Sequence, residues 1–352
     1  MKKYKKNDIL FASKKELISY MEEKNSIKDH IINFIKKLKM FVFIMIFILT
    51  FIKIFGTNNT LIGVCVYVGL AMFPYCDMGM KRPTMLLSIT LAYIGSIILA
   101  QINTISPFVA LPLNLVYVFV MTLLTSEPPY LKMNIIMLLP FLFTQSVPVN
   151  TNGFKIRLIA SIVGVVIIAV VTLWKWKKND LGNKDCRGIR EQFKVGMKYS
   201  TMAIRLSLGI SFGLLLSALI GSKKPLWITI VVLSLTQFNS DEMISRIKHR
   251  IIGTILGSMF FIITFNYILP MEYGMAVVFL FGFIGCFFDD YKTKQFINTV
   301  SAINASMIIF STDQAVLGRF IGLAIGICIV LVLYFIEKII INTFRKEPNG
   351  QN

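Results

Sequence analysis

Twelve mainly apolar segments, each of about 15 to 23 residues, take up most of this 352-residue sequence. A helix that crosses the hydrocarbon core of a bilayer needs about 20 such residues, with a range of about 17–25. We therefore predict an all-α polytopic membrane protein with about twelve transmembrane helices. The predicted spans are 40–55, 61–75, 84–102, 105–125, 133–149, 156–174, 202–220, 225–239, 250–269, 271–288, 296–312 and 315–337.

The composition excludes two broad classes of protein. Hydrophobic residues make up 55% of the chain and charged residues 16%, whereas soluble domains contain about 45–50% and about 25%. A soluble fold could not bury this much apolar surface, and a disordered chain needs low hydrophobicity. The 39 mostly polar residues before the first segment indicate a retained anchor rather than a cleaved signal peptide.

The basic residues are distributed unevenly between the two sides of the predicted membrane. Of 37 Lys and Arg residues, 31 fall in the tails and in alternate loops, and six fall on the opposite side. Cytoplasmic loops carry such an excess, so we predict cytoplasmic N- and C-termini. The net charge of +19 is then explained by contact with an anionic lipid leaflet, and we expect the lipid bilayer, not nucleic acid, as the partner. The six are Lys53, Lys155, Arg157, Lys223, Lys224 and Arg319.

The spans divide into two sets of six around a short basic linker. Arg157 is followed by Gly164, and Arg319 is followed by Gly326, at an offset of 162 residues. Because each half holds an even number of spans, the two halves are predicted to be parallel repeats, as in some secondary transporters. The predicted regions are a basic amphipathic tail (1–39), a first half (40–174), a linker (175–201), a second half (202–337) and a C-terminal tail (338–352).

The end of the N-terminal tail leaves two interpretations open. Apolar residues from Ile27 to Leu38 fall on one helical face, with lysines around it. This pattern is typical of an amphipathic helix lying in the membrane interface. A cytoplasmic extension of the first span fits the same residues equally well.

The residues required for catalysis or metal binding are missing from the apolar segments. No Asp or Glu lies in the middle of a span, and the five Cys and two His residues are scattered without metal-ligand spacing. A phosphate-binding loop of the Gly-x-x-x-x-Gly-Lys-Ser/Thr type is also missing. We therefore expect a protein without a catalytic site, metal or cofactor, and not an enzyme.

Two arginines and one amide are the first candidates for substrate contact. Arg157 and Arg319 each stand at the start of a predicted span, and Asn304 lies within one. Arginine binds carboxylates through paired hydrogen bonds, whereas the alternative is that the two side chains reach lipid headgroups. An amide inside a span must face another helix or a cavity, and helix–helix contact is the alternative for Asn304.

Arg250 precedes a stretch of small residues in the ninth span. Gly253, Thr254 and Gly257 form a small-x-x-x-small face, and such a face permits two helices to approach closely. We predict a helix-packing role for this motif.

The second half resembles the fusaric acid resistance-like proteins, also described as the integral membrane bound transporter domain of the aromatic acid exporter superfamily. The resemblance covers about residues 202–337. It is carried by a Pro-x-Trp that opens one span, a Gln after it and an Arg-x-x-Gly-Thr-x-x-Gly that opens the next. In this sequence these are Pro225, Trp227, Gln237, Arg250, Gly253, Thr254 and Gly257.

This resemblance implies an inner-membrane exporter of small organic or aromatic acids in bacteria, driven by the proton gradient. Trp227 and Gln237 join Arg157, Arg319 and Asn304 as candidate substrate contacts. A homo-oligomer is compatible with the sequence. Alternatives are an anion channel, a structural subunit of an envelope complex and, least favoured by the residues present, a membrane enzyme acting on lipids.

Overall fold

The computed structural model describes residues 27–183, 185–237, 240–288, 290–307 and 310–345. Within these ranges the chain forms twelve helices, in the order of the twelve predicted segments, and no strand. The helices are α1 (Ile27–Phe55), α2 (Thr60–Met72), α3 (Arg82–Ile105), α4 (Pro107–Thr125), α5 (Met133–Ser146), α6 (Thr151–Lys178), α7 (Ile189–Leu219), α8 (Leu226–Leu235), α9 (Ser240–Ile263, continued by a π turn at Thr264–Ile268), α10 (Gly274–Gly285), α11 (Tyr291–Asn304) and α12 (Thr312–Arg345).

Seven of these helices are long and apolar enough to cross a membrane: α1, α3, α4, α6, α7, α9 and α12. The other five are shorter. The ten residues of α8 cover about 15 Å at 1.5 Å per residue, which is half of a hydrocarbon core of about 30 Å. The chain is therefore a multi-pass helical membrane protein, while twelve complete spans and two parallel six-helix repeats stay predictions.

Polar residues before the helices fix where several of them begin. The side chain of Asn150 accepts a hydrogen bond of 2.8 Å from the backbone N–H of Gly153, and Asp290 accepts one of 2.7 Å from Thr293. Such caps satisfy backbone donors that have no partner inside the helix. Helix α6 therefore starts five residues before the predicted bound of its apolar segment, and this places Arg157 inside the helix rather than at its start.

The loops collect at two opposite ends of the bundle. At one end, which we call the Arg157 end, Arg157 bridges the loop after α1 and the loop after α5 through Asn58 and Val147. At the other, the linker end, Arg82 donates to the carbonyl of Leu181 in the linker. The linker residues therefore pack against the first half of the chain.

Helix α1 is continuous from Ile27 to Phe55. This is the arrangement expected if the end of the N-terminal tail extends the first span. Phe34 lies 5.6 Å from Phe283 and 5.9 Å from Phe287, measured between ring centroids. These contacts join the start of α1 to α10 and the loop after it. Residues 1–26 of the predicted tail lie outside the described residues.

Close helix contacts depend on glycines at two places in the second half. Gly253 and Gly257 of α9 lie against the backbone of Phe296 in α11, where an added Cβ would stand 2.9–3.0 Å from backbone atoms. Gly318 and Gly322 of α12 lie against the Trp227 side chain, with distances of 2.7 and 2.8 Å for an added Cβ. Small residues permit such approaches between helices.

Two tryptophans of α6 have different environments, although the sequence suggests an interfacial position for both. Trp174 is 60% exposed, whereas Trp176 is fully buried. The indole N–H of Trp176 donates a 3.0 Å hydrogen bond to the carbonyl oxygen of Phe73 at the end of α2. Trp176 therefore fixes α6 against α2 and is not exposed at the surface of the bundle.

We expect Trp176→Phe to lower the free energy of unfolding by about 1–3 kcal/mol, because the buried hydrogen bond and part of the ring contact are lost. The measurement is the thermal unfolding of the purified protein in detergent. Trp174→Phe is the matched control and is expected to leave the unfolding midpoint unchanged. Equal midpoints for the two variants would contradict the role of Trp176.

Candidate anion-binding site

Arg250 lies well inside α9 rather than at its beginning. The helix starts at Ser240, so ten residues place Arg250 about 15 Å along it. The side chain is only 3% exposed. Its Nη1 donates to the Ser234 hydroxyl near the end of α8 and, over 3.3 Å, to the hydroxyl of Tyr291 at the start of α11. Three helices therefore meet at this guanidinium group.

Arg319 approaches the same group of side chains from α12. It is 5% exposed, and its Nε has no hydrogen-bond partner among the described residues. Its charge interacts electrostatically with Arg250 and Tyr291. No carboxylate in the described ranges forms an ion pair with either arginine. We call these four residues, Ser234, Arg250, Tyr291 and Arg319, the arginine-pair site.

The described carboxylates nearby are already paired with other cations. Glu242 contacts Lys132 at 2.6 Å and Arg246 at 2.9 Å. Arg205 contacts Glu337 at 3.0 Å. These pairs balance charge at the linker end, so the two arginines of the arginine-pair site keep a net positive charge.

Gln237 belongs to the linker end and is engaged by protein groups. Its side-chain N–H donates to the Ser234 carbonyl over 2.9 Å, and its side-chain oxygen accepts from Lys132 over 3.4 Å. Its backbone carbonyl accepts from Arg205 over 3.1 Å. Gln237 is therefore hydrogen-bonded to Ser234, which belongs to the arginine-pair site.

Trp227 and Asn304 lie at helix contacts. Trp227 is 7% exposed, and its ring packs on α12. The centroids of the Trp227 and Phe310 rings lie 6.1 Å apart. The side-chain oxygen of Asn304 is buried without a hydrogen-bond partner in the described residues. It faces Gly274 of α10, where an added Cβ would stand near that oxygen. In the described residues, no hydrogen bond joins the side chain of Trp227 or Asn304 to the arginine-pair site.

Arg157 is buried like Arg319 but has a different environment. It is 2% exposed and donates to the carbonyls of Val147 at 2.7 Å and Asn58 at 3.1 Å, and to the Asn59 side chain at 3.3 Å. Such burial does not fit a side chain that reaches lipid headgroups. The groups around the two arginines differ: Arg157 donates to Asn58, Asn59 and Val147, whereas Arg319 interacts electrostatically with Arg250 and Tyr291.

Two cavities open at the Arg157 end. The first has a volume of about 220 Å³ and is bordered by Gln145 and Arg157. The second, of about 370 Å³, is bordered by Trp227, Phe310 and Lys224. Burial lowers the pKa of the Lys224 ammonium, because removal from water disfavours its charged form. Lys223 borders both cavities.

Three contributors to these sites were not singled out from the sequence as substrate contacts: Ser234, Tyr291 and Gln145. Ser234 and Tyr291 lie 57 positions apart in the sequence and meet only because α8, α9 and α11 pack together. Nothing in their local sequence marks them as a pair. Gln145, in contrast, carried a usable signal, since an amide inside an apolar segment needs a partner.

The described residues contain no group of three or more His, Cys, Asp or Glu side chains that could hold a metal ion. The chemistry available at the arginine-pair site is therefore that of guanidinium and hydroxyl groups. Both donate hydrogen bonds, and two guanidinium groups attract anions. These features define a multi-pass membrane protein with a buried, net-positive polar site.

Comparison with known families gives one match. Residues 208–333 match the family described as Fusaric acid resistance protein-like. The matched stretch contains all four residues of the arginine-pair site, and it confirms the resemblance that the sequence motifs carry. The match indicates a membrane protein with a function related to transport or export. No curated protein and no solved structure was found to match the chain.

Proposed function

We propose that this protein exports small organic or aromatic acids across the bacterial plasma membrane, with both termini in the cytoplasm and without enzymatic activity. The observation that carries the proposal is the arginine pair. Arg250 and Arg319 are 3% and 5% exposed, lie within electrostatic range of each other and are paired with none of the described carboxylates.

The energetics of the pair favour an anionic ligand. A buried charge without a counter-ion costs several kcal/mol, and two like charges raise that cost. A carboxylate between the guanidinium groups offsets both terms and gains charge-assisted hydrogen bonds of about 1.5–3 kcal/mol each. Tyr291 and Ser234 supply hydroxyl groups beside the arginines.

The charge of the substrate suggests how export is driven. The sequence has no Asp or Glu in the middle of a predicted span, so a fixed internal proton carrier is missing. An anion that leaves a negative cytoplasm gains about 2.3 kcal/mol per charge for each 100 mV. The electrical part of the proton gradient therefore suffices to move the substrate outward.

An anion channel is the second candidate function, because the same buried cations would stabilise a permeating anion. A carrier that alternates between two conformations saturates at low substrate concentration, whereas a channel follows voltage. A structural subunit of an envelope complex would move no anion at all. The first step is therefore to establish transport in cells.

The test compares a strain lacking the gene with the same strain carrying the wild-type gene or Arg250→Gln. After loading with ¹⁴C-labelled 4-hydroxybenzoate, we expect the wild-type gene to lower the retained label several-fold and Arg250→Gln to lower it little, at equal protein levels. Dissipating the membrane potential should abolish the difference. Equal retention with and without the wild-type gene for a panel of small acids would contradict the proposal.

A further inference from the structure

The first cavity at the Arg157 end is a distinct feature of the structure. It has a volume of about 220 Å³ and lies where α3, α5 and α6 meet the loop that follows α7. Its wall combines eight polar or charged residues with six apolar ones, which are Ile97, Ala100, Pro148, Val149, Phe154 and Pro225. Small-molecule sites usually combine apolar side chains with polar groups that fix the orientation of the ligand.

Gln145 supplies an unused hydrogen-bond donor to this cavity. The side chain is 7% exposed and borders the cavity, and its Nε2 has no hydrogen-bond partner among the described residues. A buried amide donor without a partner costs about 1–3 kcal/mol. A ligand oxygen in the cavity would recover that energy, because an amide N–H₂ group donates two hydrogen bonds.

Arg157 supplies the charge. Its hydrogen bonds go to carbonyl groups and to the Asn59 amide oxygen, which are all neutral. None of the described residues that border the cavity is an Asp or a Glu. The positive charge is therefore held in place without being cancelled, and it favours an anion at the Gln145 amide.

Lys223 adds a second cation at the rim. It borders the cavity and is exposed, and its Nζ lies 5.8 Å from the centroid of the Phe310 ring. The long side chain of lysine is flexible. Its contribution is attraction of an anion to the cavity entrance rather than a fixed hydrogen bond.

We infer that this cavity binds a small organic carboxylate through Gln145 and Arg157, as a second site separate from the arginine-pair site. The carboxylate of the ligand is placed at the Gln145 amide. The apolar body of the ligand lies against the apolar residues of the cavity wall. The ligand class rests on the proposed function. On that basis, the cavity is the last binding site that an exported acid meets before it leaves at the Arg157 end.

The test is a titration of the purified full-length protein in detergent with 4-fluorobenzoate, followed by ¹⁹F NMR. We expect two sites in the wild-type protein. Gln145→Leu removes the donor at nearly constant volume and should weaken one site at least tenfold while the other stays intact. Arg319→Gln should show the reverse pattern, and the double variant should bind at neither site.

A second comparison tests the role of positive charge and does not depend on the Gln145 variant. We expect Lys223→Gln to weaken the cavity site about threefold and Lys155→Gln, an exposed lysine at the same end that does not border the cavity, to have no effect. The neutral probe 4-fluorobenzamide should not bind.

The outcomes separate the two proposals. If Gln145→Leu loses one binding site while Arg319→Gln binds like the wild-type protein, the cavity site is supported and the arginine-pair site is contradicted. Unchanged binding in both Gln145→Leu and Lys223→Gln, or equal binding of the amide probe, would overturn the cavity site.

Discussion

Replacing Arg319 with Gln is expected to reduce the initial rate of 4-hydroxybenzoate transport into proteoliposomes at least tenfold. The substitution keeps a polar side chain but removes one of the two charges that bind the substrate in the proposed function. A charge-assisted hydrogen bond is worth about 1.5–3 kcal/mol, and each 1.4 kcal/mol corresponds to a factor of ten. The reduction should therefore appear in apparent affinity as well as in rate.

Two variants show whether the charge itself is responsible. Arg319→Lys keeps the charge without the planar pair of donors and should retain part of the transport. Arg190→Gln removes an exposed arginine near the start of α7 and should retain all of it. Wild-type transport in Arg319→Gln, at equal reconstitution, would show that Arg319 has no role in substrate binding.

Gly257→Val is expected to destabilise the fold by forcing two packed helices apart. A Cβ at Gly257 would stand 2.9 Å from the carbonyl oxygen of Phe296 and 2.9 Å from the Cβ of Thr299. Because a backbone atom cannot yield as a side chain does, α9 and α11 must separate. Overpacking costs about 1–3 kcal/mol and occasionally more, and we expect a loss in this range from thermal unfolding in detergent.

The same variant is expected to impair transport, since α9 carries Arg250 and α11 carries Tyr291. Gly282→Ala is the matched control in a neighbouring apolar helix. Its added Cβ would meet the Phe41 ring at 3.5 Å, which is ordinary contact. If Gly257→Val unfolds at the same temperature as Gly282→Ala, the close contact of α9 and α11 does not stabilise the fold.

The number and order of the helices follow from the sequence, because each apolar segment needs an internally hydrogen-bonded structure in lipid. Helix length is less predictable. The segment 225–239 contains 15 mainly apolar residues. Among its described residues the helix covers Leu226–Leu235, and Thr236 adopts an extended conformation. Contacts of Gln237 with Lys132 and Arg205 replace the last helical turn, and such contacts between distant parts of the chain have no local signal.

The depth of the charged side chains was also hard to predict. Hydropathy places Arg250 at the start of a span, because the preceding residues are polar. In the structure those residues continue α9 toward the linker end, where Glu242 is paired with Lys132 and Arg246. Because these ion pairs neutralise the charges before Arg250, the polar residues can extend the helix. Arg250 consequently lies deep in the bundle.

Candidate site residues were partly identifiable from chemistry alone. Buried Arg in an apolar segment is expensive, which singles out Arg157 and Arg319 without any structure. Their different environments are a property of packing, since Arg157 meets the loop carbonyls of Asn58 and Val147. Arg319 interacts electrostatically with Tyr291 and Arg250, which belong to two other helices.

The central claim is that an organic anion crosses the membrane by way of the arginine-pair site. It is tested most directly by the flux of labelled 4-hydroxybenzoate through purified wild-type protein in liposomes under an imposed membrane potential. The account predicts flux that requires the potential, saturates with substrate and is competed by other small carboxylates. Flux indistinguishable from that of protein-free liposomes, across potentials and a panel of small acids, would contradict it.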